Sequence, residues 1–403
     1  MPGSGGYEAI VDSLERQASD SLFVNNAWSR TLLSENMEQA ADSLTYYRLM
    51  GIYSKACFAT AQFDSVFFYN HKILRFCLGA SETPQIHDLI SAANNMSGNV
   101  WVQRSMPDSA IACYKRAYEH RKKGTETAYL PDICINLADG YVHRGDYANA
   151  AYYYRRALFI CDSLDLPDRN KFPVYYGLGQ TYMELRDFDL SNYYYEMAGQ
   201  YFSQMNPAEK FTYLNNRGNH FYYKKDYWKA SRFMERALGA VKPYPEMVFE
   251  QNLCKANLGE LYMLTGKLDS AQMYLNDSYR FFSDMKNASA MYYIETQMIE
   301  LALRQGDVAL AAKLITLTKP DAHVEANMIN IRNHYLQHYF ERTGNYKLAY
   351  EYLKNDQKLN DSIRNEQVRT RVAELDMRYR QDTIVMRREL VIGRQIRLRS
   401  FLY

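Results

Sequence analysis

The feature that most constrains this chain is a helical signature that returns about every 40 residues along its 403-residue length. Its clearest copies are Leu137-Ala138-Asp139-Gly140-Tyr141, Leu178-Gly179-Gln180-Thr181-Tyr182 and Leu258-Gly259-Glu260-Leu261-Tyr262. A short turn and a second block follow each copy. Gly145-Asp146-Tyr147 leads to Ala150, Tyr154 and Ala157, and Gly266-Lys267-Leu268 leads to Ala271 and Leu275. A fixed period of this length marks stacked helix-turn-helix units, each of which buries its apolar face only against its neighbours.

Aligning on the small residue of the first helix gives Ser54, Gly98, Ala138, Gly179, Gly218 and Gly259, then the weaker Ile299 and Gln337. Three positions on stand Cys57, Trp101, Tyr141, Tyr182, Phe221, Tyr262, Ala302 and Phe340; twelve positions on stand Val66, Ala110, Ala150, Ser191, Ala230, Ala271, Ala311 and Ala349. Small residues in both helices predict a close helix-helix approach, repeated in about eight units. The predicted turns are Arg144-Gly145-Asp146, Arg186-Asp187, Lys225-Asp226, Thr265-Gly266-Lys267, Gln305-Gly306-Asp307 and Thr343-Gly344-Asn345. Asn206-Pro207 has the form of a helix cap followed by a first-turn proline. Apolar residues make up 47% of the chain, enough for a continuous core, and no strand-like alternation competes. The expected fold class is all-α.

The pattern Leu-Gly-x-x-Tyr with a later Ala-x-x-x-Phe/Tyr resembles the tetratricopeptide repeat over residues 47–356. Cys134, Tyr175 and Lys255 stand where that repeat carries its signature Trp. The resemblance implies a right-handed superhelical solenoid of antiparallel helix pairs. Residues 1–6 read as a cloning remnant. Residues 7–46, with Ile10, Leu14, Trp28, Leu32 and Leu33 at helical spacing, are expected to form capping helices.

Residues 357–403 are expected to be a long C-terminal helix. Val368, Val372, Leu375, Tyr379 and Met386 follow heptad spacing, which fits an oligomerisation seam; packing of this helix on the last repeat is the other reading. The segment Arg371-Val372-Ala373-Glu374-Leu375-Asp376-Met377-Arg378-Tyr379 resembles the one that follows the repeats in Bacteroidetes membrane-anchored tetratricopeptide regulators. That likeness implies a membrane span beyond Tyr403, repeats on the periplasmic face of the inner membrane, and a kinase or helix-turn-helix output that is absent here.

The chemistry-bearing motifs are few. A net charge of +2 gives no general reason to bind nucleic acid, and Tyr154 within Tyr152-Tyr153-Tyr154-Arg155-Arg156 falls on the helical core face. Cys57, Cys77, Cys113, Cys134, Cys161 and Cys254 form no C-x-x-C pair and read as buried free thiols. Gly259 and Gly266-Lys267 mimic a phosphate loop, but the spacing is wrong and Leu268 replaces its Ser/Thr. His334 and His338 share a helix face without a third metal ligand. No catalytic constellation, metal or cofactor is expected.

The face around the residue after the small position is where tetratricopeptide arrays hold extended peptides. Here Asn95 and Asn99 meet Asn136 of the next unit, and Asn215 and Asn219 meet Asn257. An amide both donates and accepts, which suits a peptide backbone. It equally suits stitching neighbouring helices together. Tyr293 and Gln297 stand where a chaperone-type clamp would place basic residues. The sequence thus points to a non-catalytic module that binds a protein or peptide, with a possible homodimer through the C-terminal helix. In this reading it is the sensor of a membrane-anchored signalling or transcriptional regulator, and binding shifts curvature or tail pairing. The alternative is a cytoplasmic scaffold that oligomerises through the same helix.

Overall fold

The computed structural model describes residues 25–317 and 326–400 together with Gln17. The leader 1–6, and Ile10 and Leu14 of the expected cap, lie outside the described residues. From residue 25 on, helix α1 (Asn26–Glu38) precedes the pairs. These are α2 (Ser43–Ala59) with α3 (Phe63–Gly79), α4 (Pro84–Gln103) with α5 (Pro107–Arg121), α6 (Leu130–His143) with α7 (Tyr147–Ser163), and α8 (Phe172–Glu184) with α9 (Phe188–Gly199). Then come α10 (Pro207–Tyr223) with α11 (Tyr227–Val241), α12 (Val248–Leu264) with α13 (Leu268–Asp284), α14 (Ala288–Gln305) with α15 (Val308–Leu317), and α16 (Ala326–Arg342) with α17 (Tyr346–Ser400). Among the described residues there is no strand. Two compact units are formed, one from residues 1–181 with 373–403 and the other from residues 182–372.

Every pair is closed by the same turn. One residue takes the left-handed conformation: Ala61, Ser105, Gly145, Arg186, Lys225, Gly266, Gly306 and Gly344, with φ from +55° to +85°. The next residue's N–H then returns to the carbonyl of the bulky position, as in Asp146 to Tyr141, Asp226 to Phe221 and Asn345 to Phe340, each at 2.9 Å. This is the Schellman arrangement, which satisfies carbonyls the helix end leaves orphaned. Asp146, Asp187 and Asp226 add a second function, accepting from a backbone N–H of the following helix as its cap.

The small positions face the residue sixteen places later. A Cβ on Gly98 would stand 2.4 Å from the Tyr114 ring, and one on Gly218 would stand 2.8 Å from Met234. At Gly259 it would stand 2.6 Å from the Leu275 side chain and 3.3 Å from its backbone nitrogen. Where Ser54 holds this place, its hydroxyl donates to Asn70 at 2.8 Å. The second small series is equally tight: Val66, Ala110, Ala150, Ser191, Ala230, Ala271 and Ala311 are wholly buried. The bulky residue stacks on the aromatic ring twelve places later, as in Tyr141 on Tyr153, Tyr182 on Tyr194, Phe221 on Phe233 and Phe340 on Tyr352. Five tyrosines stand in these four stacks, with Phe221, Phe233 and Phe340.

Local signals read from the sequence hold. Asn206 and Glu209 form a reciprocal capping box ahead of Pro207. All six cysteines are free and buried, and burial pushes the Cys134 and Cys254 thiols up to about 12. Gly259 is a packing residue, and Gly266 is the turn of its pair, so neither belongs to a phosphate loop. Leu33 of α1 is buried, while Trp28 is exposed. No break occurs between residues 356 and 357: the second helix of the last pair runs on as α17.

The Gly259 contact carries a two-sided prediction. Gly259→Ala is expected to lower stability by about 1–3 kcal/mol, because Leu275 and its backbone stand in the way. Gly239→Ala, on an exposed helical site with nothing within 4 Å, is expected to raise it by about 0.5–1 kcal/mol. Urea midpoints followed by circular dichroism check both; a neutral Gly259→Ala would remove the close approach from this account.

Candidate functional site

Because the left-handed turn fixes where each pair reverses, the residue after every small position lies on the same face of its first helix. That series is Lys55, Asn99, Asp139, Gln180, Asn219, Glu260, Glu300 and His338. In the first unit Asn99, Asn136, Asp139 and Gln180 line a hollow of about 420 Å³, with Tyr114 and Tyr154 from the second helices. In the second unit Asn219, Asn257, Glu260 and Tyr293 line a hollow of about 390 Å³. Its apolar wall includes Leu253, Phe282, Ile294 and Ile331.

The six asparagines sit at these hollows or beside them, and most bond one another. Asn136 donates to Asn95 at 2.9 Å, and Asn257 donates to Asn215 at 3.1 Å. Asn99 accepts from the Tyr114 hydroxyl at 2.8 Å, and Asn219 donates to Asn216 at 3.4 Å. The stitching and the groove-lining readings are therefore both realised in the geometry. All six remain partly exposed, and four of them, Asn99, Asn136, Asn219 and Asn257, line the hollows.

Two carboxylates on this face were not singled out from the sequence. Glu260 is buried at the base of the second unit's hollow; Tyr222 donates to its Oε1 at 2.7 Å and Tyr293 donates to its Oε2. Burial raises its pKa, with the Tyr293 and Tyr222 hydrogen bonds acting in the opposite direction. Burial next to Glu260 likewise raises the Tyr293 phenol well above its ordinary value. In the first unit, burial raises the Asp139 carboxyl, and the Tyr154 hydroxyl donates to it. The common register with Asn99 and Asn219 was the signal that could have found both. Gln297, at the other clamp position, is buried and accepts from the Tyr335 hydroxyl at 3.4 Å.

The C-terminal helix has two different faces. Thr370 and Glu374 are buried. Within the second unit Arg371 pairs with Asp187 at 2.7 Å; within the first, Arg155 pairs with Glu374 at 2.8 Å. Packing against the last pair, through Asn330 to Asn360 and Phe340 on Tyr352, accounts only for the start of the helix. The seam residues Val368, Val372 and Leu375 are exposed at 56%, 62% and 47%. Tyr379 and Met386 lie in the helix, with side chains outside the described residues.

Other sequence candidates have structural partners. His338 faces Glu300 at 3.3 Å, and among the described residues no three side chains gather to hold a metal. Tyr154 is buried, and Arg156 donates to the Tyr118 hydroxyl at 2.6 Å. Among the described residues no helix is long and apolar enough to cross a membrane.

These repeats define the class: a tetratricopeptide-like, all-α helical-repeat protein. No family model and no curated protein matches the chain. Solved structures do. A Rap protein complexed with competence and sporulation factor superposes with a TM-score of 0.62 at 13% identity, covering 89% of this chain and 99% of that one. The apo quorum sensor NprR from B. thuringiensis gives 0.62 at 12%, covering 88% and 99%. Aspartyl phosphate phosphatase F from Bacillus subtilis gives 0.57 at 11%, covering 89% and 95%. At these identities the likeness is one of fold.

Proposed function

We propose that this chain is a non-catalytic module that binds an extended peptide or protein segment against the first helices of its second unit. The observation that carries this reading is the 390 Å³ hollow where Asn219 and Asn257 stand beside an apolar wall. Amides at the rim can match a peptide backbone while the wall takes side chains. The fold is shared with a Rap protein solved in complex with competence and sporulation factor and with the quorum sensor NprR, which supports a binding role here.

The wider reading is a sensor region of a membrane-anchored signalling or transcriptional regulator, facing the periplasm and pairing with a second copy through the C-terminal helix. The exposed Val368, Val372 and Leu375 support the pairing. The location requires a signal peptide upstream and an apolar span after Tyr403 in the gene; a gene lacking both would contradict it.

Random decapeptides selected on the immobilised full chain test the groove. Asn219→Ala with Asn257→Ala is expected to weaken the selected peptides by about tenfold or more, since each lost amide contact costs about 1 kcal/mol, while the circular dichroism melt changes little. Unchanged affinity would return both residues to helix stitching. For the tail, sedimentation equilibrium is expected to show a dimer that Val372→Asp converts to monomer. A wild-type monomer at every concentration would remove the pairing.

A further inference from the structure

The second unit's hollow contains one carboxylate and no cation. Among its lining residues Glu260 is the only charged side chain, and no described Lys, Arg or His pairs with it. Burying a carboxylate is costly unless it is neutralised or paired. Two phenols approach it, Tyr222 from α10 and Tyr293 from α14, one on each oxygen, and the Gln297 amide of α14 also favours its charged form. A hydroxyl donor relieves part of that cost and leaves lone pairs on both oxygens. Glu260, although buried, is itself a lining residue of the hollow.

The surroundings fit a particular shape of guest. Above the carboxylate, Leu253, Phe282 and Ile331 offer an apolar wall to an aliphatic stem. Tyr222 and Tyr293 line the same hollow, with their hydroxyls on the carboxylate. An anionic guest would meet a carboxylate and no positive group. A neutral aliphatic guest would leave the carboxylate without an ionic partner.

We propose that Glu260, with Tyr222 and Tyr293, forms a subsite for the side chain of a lysine or arginine in the bound peptide. The ammonium or guanidinium completes the ion pair that the protein itself leaves open, and the stem lies on the apolar wall. Burial raises the pKa of the free carboxyl, and a cation beside it acts in the opposite direction. The inference rests on the peptide-groove reading and names which residue that groove selects.

Methyl-labelled methionine tests it on the full chain, because Met234 and Met328 line the same hollow. The probes are the N-acetyl methylamides of lysine, arginine and norleucine. Lysine and arginine probes are expected to shift both methyl signals saturably and to bind roughly tenfold or more tightly than norleucine. Glu260→Gln is expected to bring the three to equal affinity, with little change in the melting curve. Equal binding of lysine and norleucine by the wild-type chain overturns the subsite, as does a lysine preference that survives in Glu260→Gln or the absence of any shift. The wild-type comparison stands even if the variant fails to fold. If selected decapeptides bind but lysine and norleucine are not distinguished, the subsite falls and the groove stands. If no decapeptide binds, the groove falls as well.

Discussion

The rest of the structure depends on the close approach of the two helices within a pair, set in six of the eight pairs by a small residue on the first and a side chain sixteen positions later on the second; Ile299 and Gln337 take the small position in the last two. Gly98 against Tyr114, Gly218 against Met234 and Gly259 against Leu275 leave no room for a Cβ. Once the axes are that close, the small residue twelve positions on is driven to full burial, and the ring three positions on finds a stacking partner. The left-handed turn closes the pair at a fixed length. Register, packing and aromatic stacking are thus consequences of one steric constraint repeated along the chain.

That constraint also places the candidate site. A residue one position past the small contact lies at the edge of that interface: Asn99 accepts from Tyr114 and Asp139 from Tyr154, each on its own second helix, and both line the first unit's hollow. The series carries amides at Asn99, Gln180 and Asn219 and carboxylates at Asp139, Glu260 and Glu300. Neighbouring members interact, as in His338 with Glu300, and the face around them carries Asn257 with Asn215. The same side chains that hold repeat to repeat border the hollows. Stability and recognition therefore draw on one set of groups. A ligand at Asn257 must compete with or share its bond to Asn215.

Much of this was legible in the sequence, for physical reasons that differ by element. Period and helix content could be read because small and bulky residues recur at fixed offsets. Turns with Gly or Asp were legible because those residues favour the conformation or cap the next helix. The turns at Ala61 and Ser105 were not, because neither residue advertises a left-handed φ, and the fold imposes one there. Burial of Glu260 was also invisible: its register matched Asn219, but its two phenol partners come from adjacent repeats. The C-terminal helix shows a limit of pattern reading. Its heptad apolar stripe is plain, whereas the buried Glu374 is fixed by Arg155, a partner 219 residues away.

The central claim is that the first-helix face of the second unit receives an extended peptide. A structure of the full chain crystallised with a selected decapeptide tests it most directly. The account predicts extended peptide density in the hollow bounded by α10, α12 and α14, with its backbone within hydrogen-bonding distance of Asn219 and Asn257. A peptide bound on the second helices, or one that leaves this hollow empty, would contradict it.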